Sequence, residues 1–205
     1  MANEYLTSDE LKASRTLTGE TFADSDITLA ISAASRAMDQ LCGRRFWADA
    51  DTAQVRYYTA LTPKLALIDD VITLTSLIVD DDGDGTYNET WTENTDFTFG
   101  PFNNPTETPV WPRWQIMVHP LSAQGTFPDY PRALKVTAKF GWTAVPDQIK
   151  QATGLLASRL VMRAREAPFG IVQLGLEGVA GRIAREDPDV RFLTGPFVRH
   201  TPGML

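Results

Sequence analysis

The hydrophobic period of the chain changes twice, near residues 54 and 142, and this constrains the fold more than any single motif. Before the first change and after the second, apolar residues recur every three or four positions, the period of an amphipathic helix. Between them lie short runs rich in Val, Ile, Thr and aromatic residues, the composition of strands. Strands gathered in one block, not alternating with helices, predict an α+β fold in which an antiparallel β-sheet is inserted into a small helical bundle. With 205 residues the chain is long enough for one sizeable core, and a single domain spanning 1–205 is the expectation.

The helical parts carry their own punctuation. Thr7-Ser8-Asp9-Glu10 has the spacing of a capping box and predicts a short helix to about Leu17. Asp24-Ser25-Asp26 predicts the cap of a second helix, whose apolar stripe is Ile27, Ala30, Ile31, Ala34, Met38 and Leu41. Gly43 closes it, with Arg44 and Arg45 near its negative end, so N-terminal helices fill residues 1–45. Val145-Pro146-Asp147 predicts a long helix over 145–166, with Pro146 in its first turn and Ile149, Ala152, Leu156 and Leu160 buried, Leu155 and Met162 broadening that face. A Gly-jointed arm over 168–205 ends in a short helix started by Asp187-Pro188-Asp189. In the insertion, 54–142, the runs VRYYTAL, LALIDDVITLTSLIV, DFTF, WQIMVH and ALKVTAKF predict five or six strands. The prolines from Pro101 to Pro112 predict a loop over the sheet edge.

Charge is unevenly placed. The net is −7 overall, but Met1 to Ile149 holds 11 basic and 21 acidic residues, and Lys150 to Leu205 holds 8 basic and 5 acidic. Leu65 to Pro112 has ten carboxylates and no Lys or Arg, which argues against a nucleic-acid coat and for a solvated acidic face. The one cysteine, Cys42, excludes an intrachain disulfide and a Cys-based zinc site, which suits a reducing compartment. The N-terminus has no apolar run of signal-peptide type and no stretch reaches about 18 apolar residues, so neither secretion by that route nor a membrane span is expected.

Catalytic nominations are few. The histidines are His119, beside Pro120, and His200, in the terminal tail. Cys42 sits at a helix C-terminus, where the helix field disfavours a thiolate. No G-x-S-x-G elbow and no phosphate-binding G-x-x-x-x-G-K-[ST] loop is present, and Gly175, Gly178 and Gly181 are spaced as a flexible connector, not as a dinucleotide fingerprint. Trp91, Trp111, Trp114 and Trp142, with Phe97, Phe99, Phe102 and Phe140, would need cations beside them to make a single-strand stacking platform, and the first three tryptophans lie in or beside the acidic stretch, so core and loop packing is expected, with a protein interface second. One segment supports two readings. Asp80, Asp82 and Asp84 with Gly85 match positions one, three, five and six of a calcium loop, yet position twelve is Trp91 and the flanks are strands. The same Asp-Gly repeat marks a hairpin turn, the favoured reading, with a divalent cation as the second.

Tyr5–Ala13 (YLTSDELKA), LCGRRF ending the second helix, Lys135–Gly170 (KVTAKFGWTAVPDQIKQATGLLASRLVMRAREAPFG) and Asp187–Phe197 (DPDVRFLTGPF), with the phrase DFTFGPFN and the Asp/Gly turn, resemble the head-to-tail adaptor (connector) proteins of long-tailed bacteriophages and gene-transfer particles. The likeness runs over residues 5–199. It implies a structural virion protein and no enzyme or cofactor. Copies would form a dodecameric ring at the head–tail junction, between the portal protein and the stopper or tail-completion protein, after assembly in the bacterial host cytoplasm. The ring would extend the channel through which double-stranded DNA passes without sequence-specific binding, and no membrane is involved. DNA carries roughly one charge per 1.7 Å of axis, so an acidic lumen lets it pass where a basic one would hold it. On this reading Asp80, Asp81, Asp82 and Asp84 form an acidic loop toward the channel or the stopper. The portal-docking set is Arg182, Arg185, Arg191, Phe192, Leu193, Phe197 and Arg199, guanidinium forks around apolar anchors. The alternatives are a stopper or tail-completion protein and, in another class, an intracellular divalent-ion-binding protein built on Asp80, Asp82 and Asp84.

Overall fold

A computed structural model of the chain describes residues 3–13, 22–50, 53–103, 109–166, 171–174, 179–182 and 187–199. Contacts divide it into two compact units, one formed by Met1–Arg44 with Val145–Leu205 and the other by Arg45–Ala144. Together they make an α+β fold of four helices and a six-stranded antiparallel sheet, with a separate two-stranded hairpin.

The first unit is helical: α1 (Ser8–Ala13), α2 (Asp24–Cys42), α3 (Asp147–Glu166) and α4 (Pro188–Thr194), the last running into a 3-10 turn, Gly195–Phe197. The capping box forms as expected. Glu10 N–H donates to Thr7 Oγ1 at 3.2 Å, and Thr7 N–H donates to Glu10 Oε2 at 2.7 Å. At α2 the cap differs from expectation: Ala23 holds the N-cap position without a side-chain acceptor, and Asp24 and Asp26 lie inside the first turn, where they act on the helix dipole. Lys12 pairs with Asp24 across α1 and α2 at 2.6 Å.

The core of this unit joins Leu11, Ile27, Ala30, Ile31 and Ala34 to Ala157 and Val161, alanines letting α2 and α3 approach closely. At the end of α2 the buried row is Ile31, Ser35, Met38 and Cys42, and Leu41 stands exposed. Both a three- and a four-residue step from Met38 suit a helix of 3.6 residues per turn, and burial follows the four-residue step to Cys42 instead of the three-residue step to Leu41. Gly43 ends α2 with φ 63°, its N–H bonded to Asp39 O. In α3, Ile149, Ala152 and Ala157 are buried, whereas Leu155, Leu156, Leu160 and Met162 are only partly so. Pro146 stands one residue ahead of this helix, its carbonyl accepting from Lys150 N–H. α4 starts where Asp187 Oδ1 accepts from Asp189 N–H at 2.9 Å, with Pro188 as the first helical residue. The stretch expected to be a flexible connector contains β7 (Ile171–Leu174) and β8 (Val179–Arg182), an antiparallel pair that includes Gly181.

The second unit is the sheet, with β1 (Gln54–Tyr58), β2 (Leu65–Val79), β3 (Glu89–Trp91), β4 (Phe97–Gly100), β5 (Arg113–Val118) and β6 (Leu134–Phe140). Their order is β1-β6-β2-β5-β4, with β3 also on β2. β2 is long because it serves two sets of partners: Leu65–Leu67 pair with β5, and Val71–Val79 pair with β6, the last three residues also with β3. Its buried residues change parity from Ala66, Ile68 and Asp70 to Val71, Leu77 and Val79. Register irregularities between Leu67 and Val71, between Val71 and Thr73 and between Leu74 and Ser76 break the regular alternation along this stretch. Trp91, Phe97, Phe99, Phe127, Val136, Ala138 and Phe140 fill the core, so most of the aromatics expected to pack do so; Phe102 is exposed.

Candidate functional site

Of the catalytic nominations, neither His119 nor Cys42 is placed as one half of a nucleophile–base pair. His119 Nδ1 accepts from Leu121 N–H at 3.2 Å and so fastens its own turn. His200 lies outside the described residues. Cys42 is fully buried, and that burial pushes its thiol up to about 11, away from thiolate chemistry.

The Asp-rich segment joins β2 to β3, as a hairpin connection should. Asp80 is buried and organises the loop: its Oδ1 accepts from Gly83 N–H at 2.9 Å and its Oδ2 from Gly85 N–H at 3.1 Å. Gly83 and Gly85 have φ of 78° and 85°, the left-handed conformations that favour glycine. Tyr130 Oη donates to the Asp80 carbonyl. Asp81, Asp82 and Asp84 are exposed, and Asp84 is held below the usual carboxylate range by the Thr86 N–H that it accepts at 2.6 Å. Asp80, Asp82 and Asp84 each place one carboxylate oxygen within 4.8 Å of the others, a set that could hold a divalent cation. Trp91, at the twelfth position, is buried in the core and supplies no carboxylate to close such a loop.

Among the described residues, the members of the C-terminal set differ in exposure. Arg191 is exposed and Phe192 is 83% exposed, with Leu193 partly so. Phe197 is buried, which corrects its expected part as a docking anchor: it is the apolar residue of the 3-10 turn that packs inward. Arg199 is half-buried and its N–H donates to Cys42 O, tying the residues after the 3-10 turn to the end of α2. Arg182 belongs to β8. Arg185 lies outside the described residues.

Two features went unnamed in the sequence reading. One is a cleft of about 290 Å³ lined by Val71, Phe102, Val110, Trp111, Pro112 and Arg113. The other is the solvent face of β6 and β1, where Lys135, Thr137 and Lys139 alternate with the buried Leu134, Val136 and Ala138. That alternation is visible in LKVTAKF and was the available signal.

No protein-family model matches the chain, and no curated protein does. Solved structures do share its fold. A chain in the neck of an empty gene transfer agent particle, computed with C6 symmetry, superposes with a TM-score of 0.51 at 18% identity, over 97% of this chain and 93% of that one. A chain in the virion of a native gene transfer agent particle gives 0.52, again at 18% identity and with the same coverage. The shared property is the fold over nearly the whole of both chains.

Proposed function

We propose that this chain is a structural protein of a virion neck, a head–tail adaptor whose copies form a ring between portal and stopper or tail. The observation that supports the reading is the fold match along 97% of the chain to neck and virion chains of gene transfer agent particles. The role follows from shape and contacts, with no chemical step. In the sheet unit, seven basic residues face thirteen acidic ones, so a ring of such units lets DNA pass without holding it. Portal docking uses the exposed part of the C-terminal set, Arg191 and Phe192 on α4: a guanidinium fork beside an apolar anchor.

Negative-stain microscopy of the protein mixed with its portal tests the reading. A ring added to the portal stem is expected, and bare portals at saturating protein would overturn it. Phe192→Asp keeps the fold, because the side chain is exposed, and is expected to weaken portal binding about tenfold or more. Truncating α4 would be a poor substitute, since Val190 and Phe197 are buried and Asp187 pairs with Arg159 at 2.8 Å.

A further inference from the structure

One face of the sheet around β6 is buried; on the other, Val55 and Tyr57 are exposed and Lys135, Thr137 and Lys139 partly so. Register places Val55 opposite Thr137, Tyr57 opposite Lys135, and Ile78 opposite Lys135 from the other side, so these residues share that outer face with Lys139. None of the residues that the register brings to that face is acidic. At one end Arg132 lies over the Tyr57 ring at 4.7 Å and Lys135 over the Tyr87 ring at 5.6 Å, the two rings being 5.3 Å apart. Each tyrosine therefore holds a cation, which leaves the pair unsuited to stacking on bases. Among the described residues Arg132, Lys135 and Lys139 form no ion pair, whereas Arg56 and Arg113 of the same unit are paired with Asp49, Asp69 and Glu93.

The same unit displays the complementary charge. Asp81, Asp82 and Asp84 are exposed, and the hydrogen bonds of Asp82 and Asp84 stay within this segment, with Asp84 N–H donating to Asp82 and Thr86 N–H to Asp84. Among the described residues none of the three pairs with a cation of its own chain. We propose that the Asp80–Gly85 loop of one copy docks on the Arg132, Lys135 and Lys139 sheet face of the next. A loop and a face that are complementary but unpaired within one chain make a head-to-tail contact, the kind that closes into rings. The inference deepens the adaptor reading and rests on it, and it assigns the loop to a neighbouring copy instead of to the channel or stopper. Duplex DNA is the less suitable occupant of the face, because the cations sit in a unit with nearly twice as many acidic as basic residues.

Sedimentation velocity over a concentration series is the test. The unaltered protein is expected to self-associate at low salt and to dissociate at about 1 M, where the Debye length has fallen to roughly 3 Å. Lys135→Glu/Lys139→Glu, and separately Asp81→Lys/Asp82→Lys, should each lower the apparent association constant by about tenfold or more, while Asp80, which shapes the loop, is kept. An equimolar mixture of the two variants should associate again, since each alternate junction then pairs opposite charges, and this recovery also shows that both are folded. A protein that stays monomeric at every concentration and salt, variants that associate like the original, or a mixture that fails to recover would each overturn the contact. So would a short DNA duplex that binds the unaltered protein and is released by Lys135→Glu/Lys139→Glu while self-association is unchanged. If those variants still form normal rings on portals, the contact is wrong and the neck reading stands; if the unaltered protein forms none, the neck reading itself fails.

Discussion

Burial decides the chemistry of Cys42, a residue type that elsewhere serves as nucleophile or metal ligand. The side chain is fully enclosed beside Met38 at the end of α2, and loss of water pushes the thiol from about 9 up to about 11. The folded state thus holds the proton more tightly than the unfolded chain. Stability from this group is intact below about pH 9 and is lost as pH rises toward about 11, a decline on the order of 2–3 kcal/mol. Tyr58, whose hydroxyl donates to Asp69 at 2.9 Å, is also pushed up, chiefly by burial, and adds to the alkaline loss. Urea unfolding from pH 8 to 11 should show the decline, and Cys42→Ala should remove the thiol's share of the slope while keeping that of Tyr58. An unchanged slope in Cys42→Ala would mean the thiol is not enclosed.

At the scale of elements, the turns carry constraints that composition alone does not reveal. Gly141, just after β6, has φ 108°, and a Cβ there would stand 2.0 Å from the Trp47 carbonyl oxygen, an atom fixed in backbone. Its N–H donates to Asp70 O at 2.8 Å, and Trp142 Nε1–H donates to Asp70 Oδ2 at 2.9 Å, so Asp70 anchors the Gly141–Trp142 side of the close approach. Gly85 has a similar φ, 85°, with open space around it. Gly85→Ala should therefore cost only the left-handed strain, about 1–2 kcal/mol, and Gly141→Ala roughly 3 kcal/mol or more, read as denaturant midpoints. Equal costs would deny the close approach. The capping box at Thr7, the end of α2 at Gly43 and the start of α4 at Asp187 were legible because each depends on residues a few positions apart. The parity switch in β2 was not, because it arises from pairing with β5 and β6, which lie far along the chain. β3 and the β7–β8 pair are too short to show a period, and the inward turn of Phe197 depends on packing that no local pattern encodes. The acidic loop was readable residue by residue; the cationic sheet face needed the register to bring Val55, Tyr57, Lys135 and Lys139 together.

For the whole molecule, a net charge of −7 is informative only once its distribution is known. On the proposed adaptor reading, a ring subunit around passing DNA has to satisfy two opposed demands: enough attraction between copies to assemble, and too little attraction to phosphate to impede the genome. The proposed contact would meet both, because a neighbour's carboxylates would then remove the few cations of the sheet face from reach of DNA. The expected consequence is measurable on the isolated protein. Non-specific binding ordinarily has a Kd of roughly 10⁻⁴–10⁻⁶ M at physiological salt, and this chain should bind a short duplex more weakly than that. Asp81→Asn/Asp82→Asn/Asp84→Asn should strengthen duplex binding and weaken self-association together, since the neighbour's Lys135 and Lys139 are then left uncovered and three repulsive charges are gone. Fluorescence anisotropy with labelled duplex, repeated at two salt concentrations, reads the first effect and sedimentation the second. Tighter DNA binding with undiminished self-association would return the three carboxylates to the channel and leave the sheet face to some other partner.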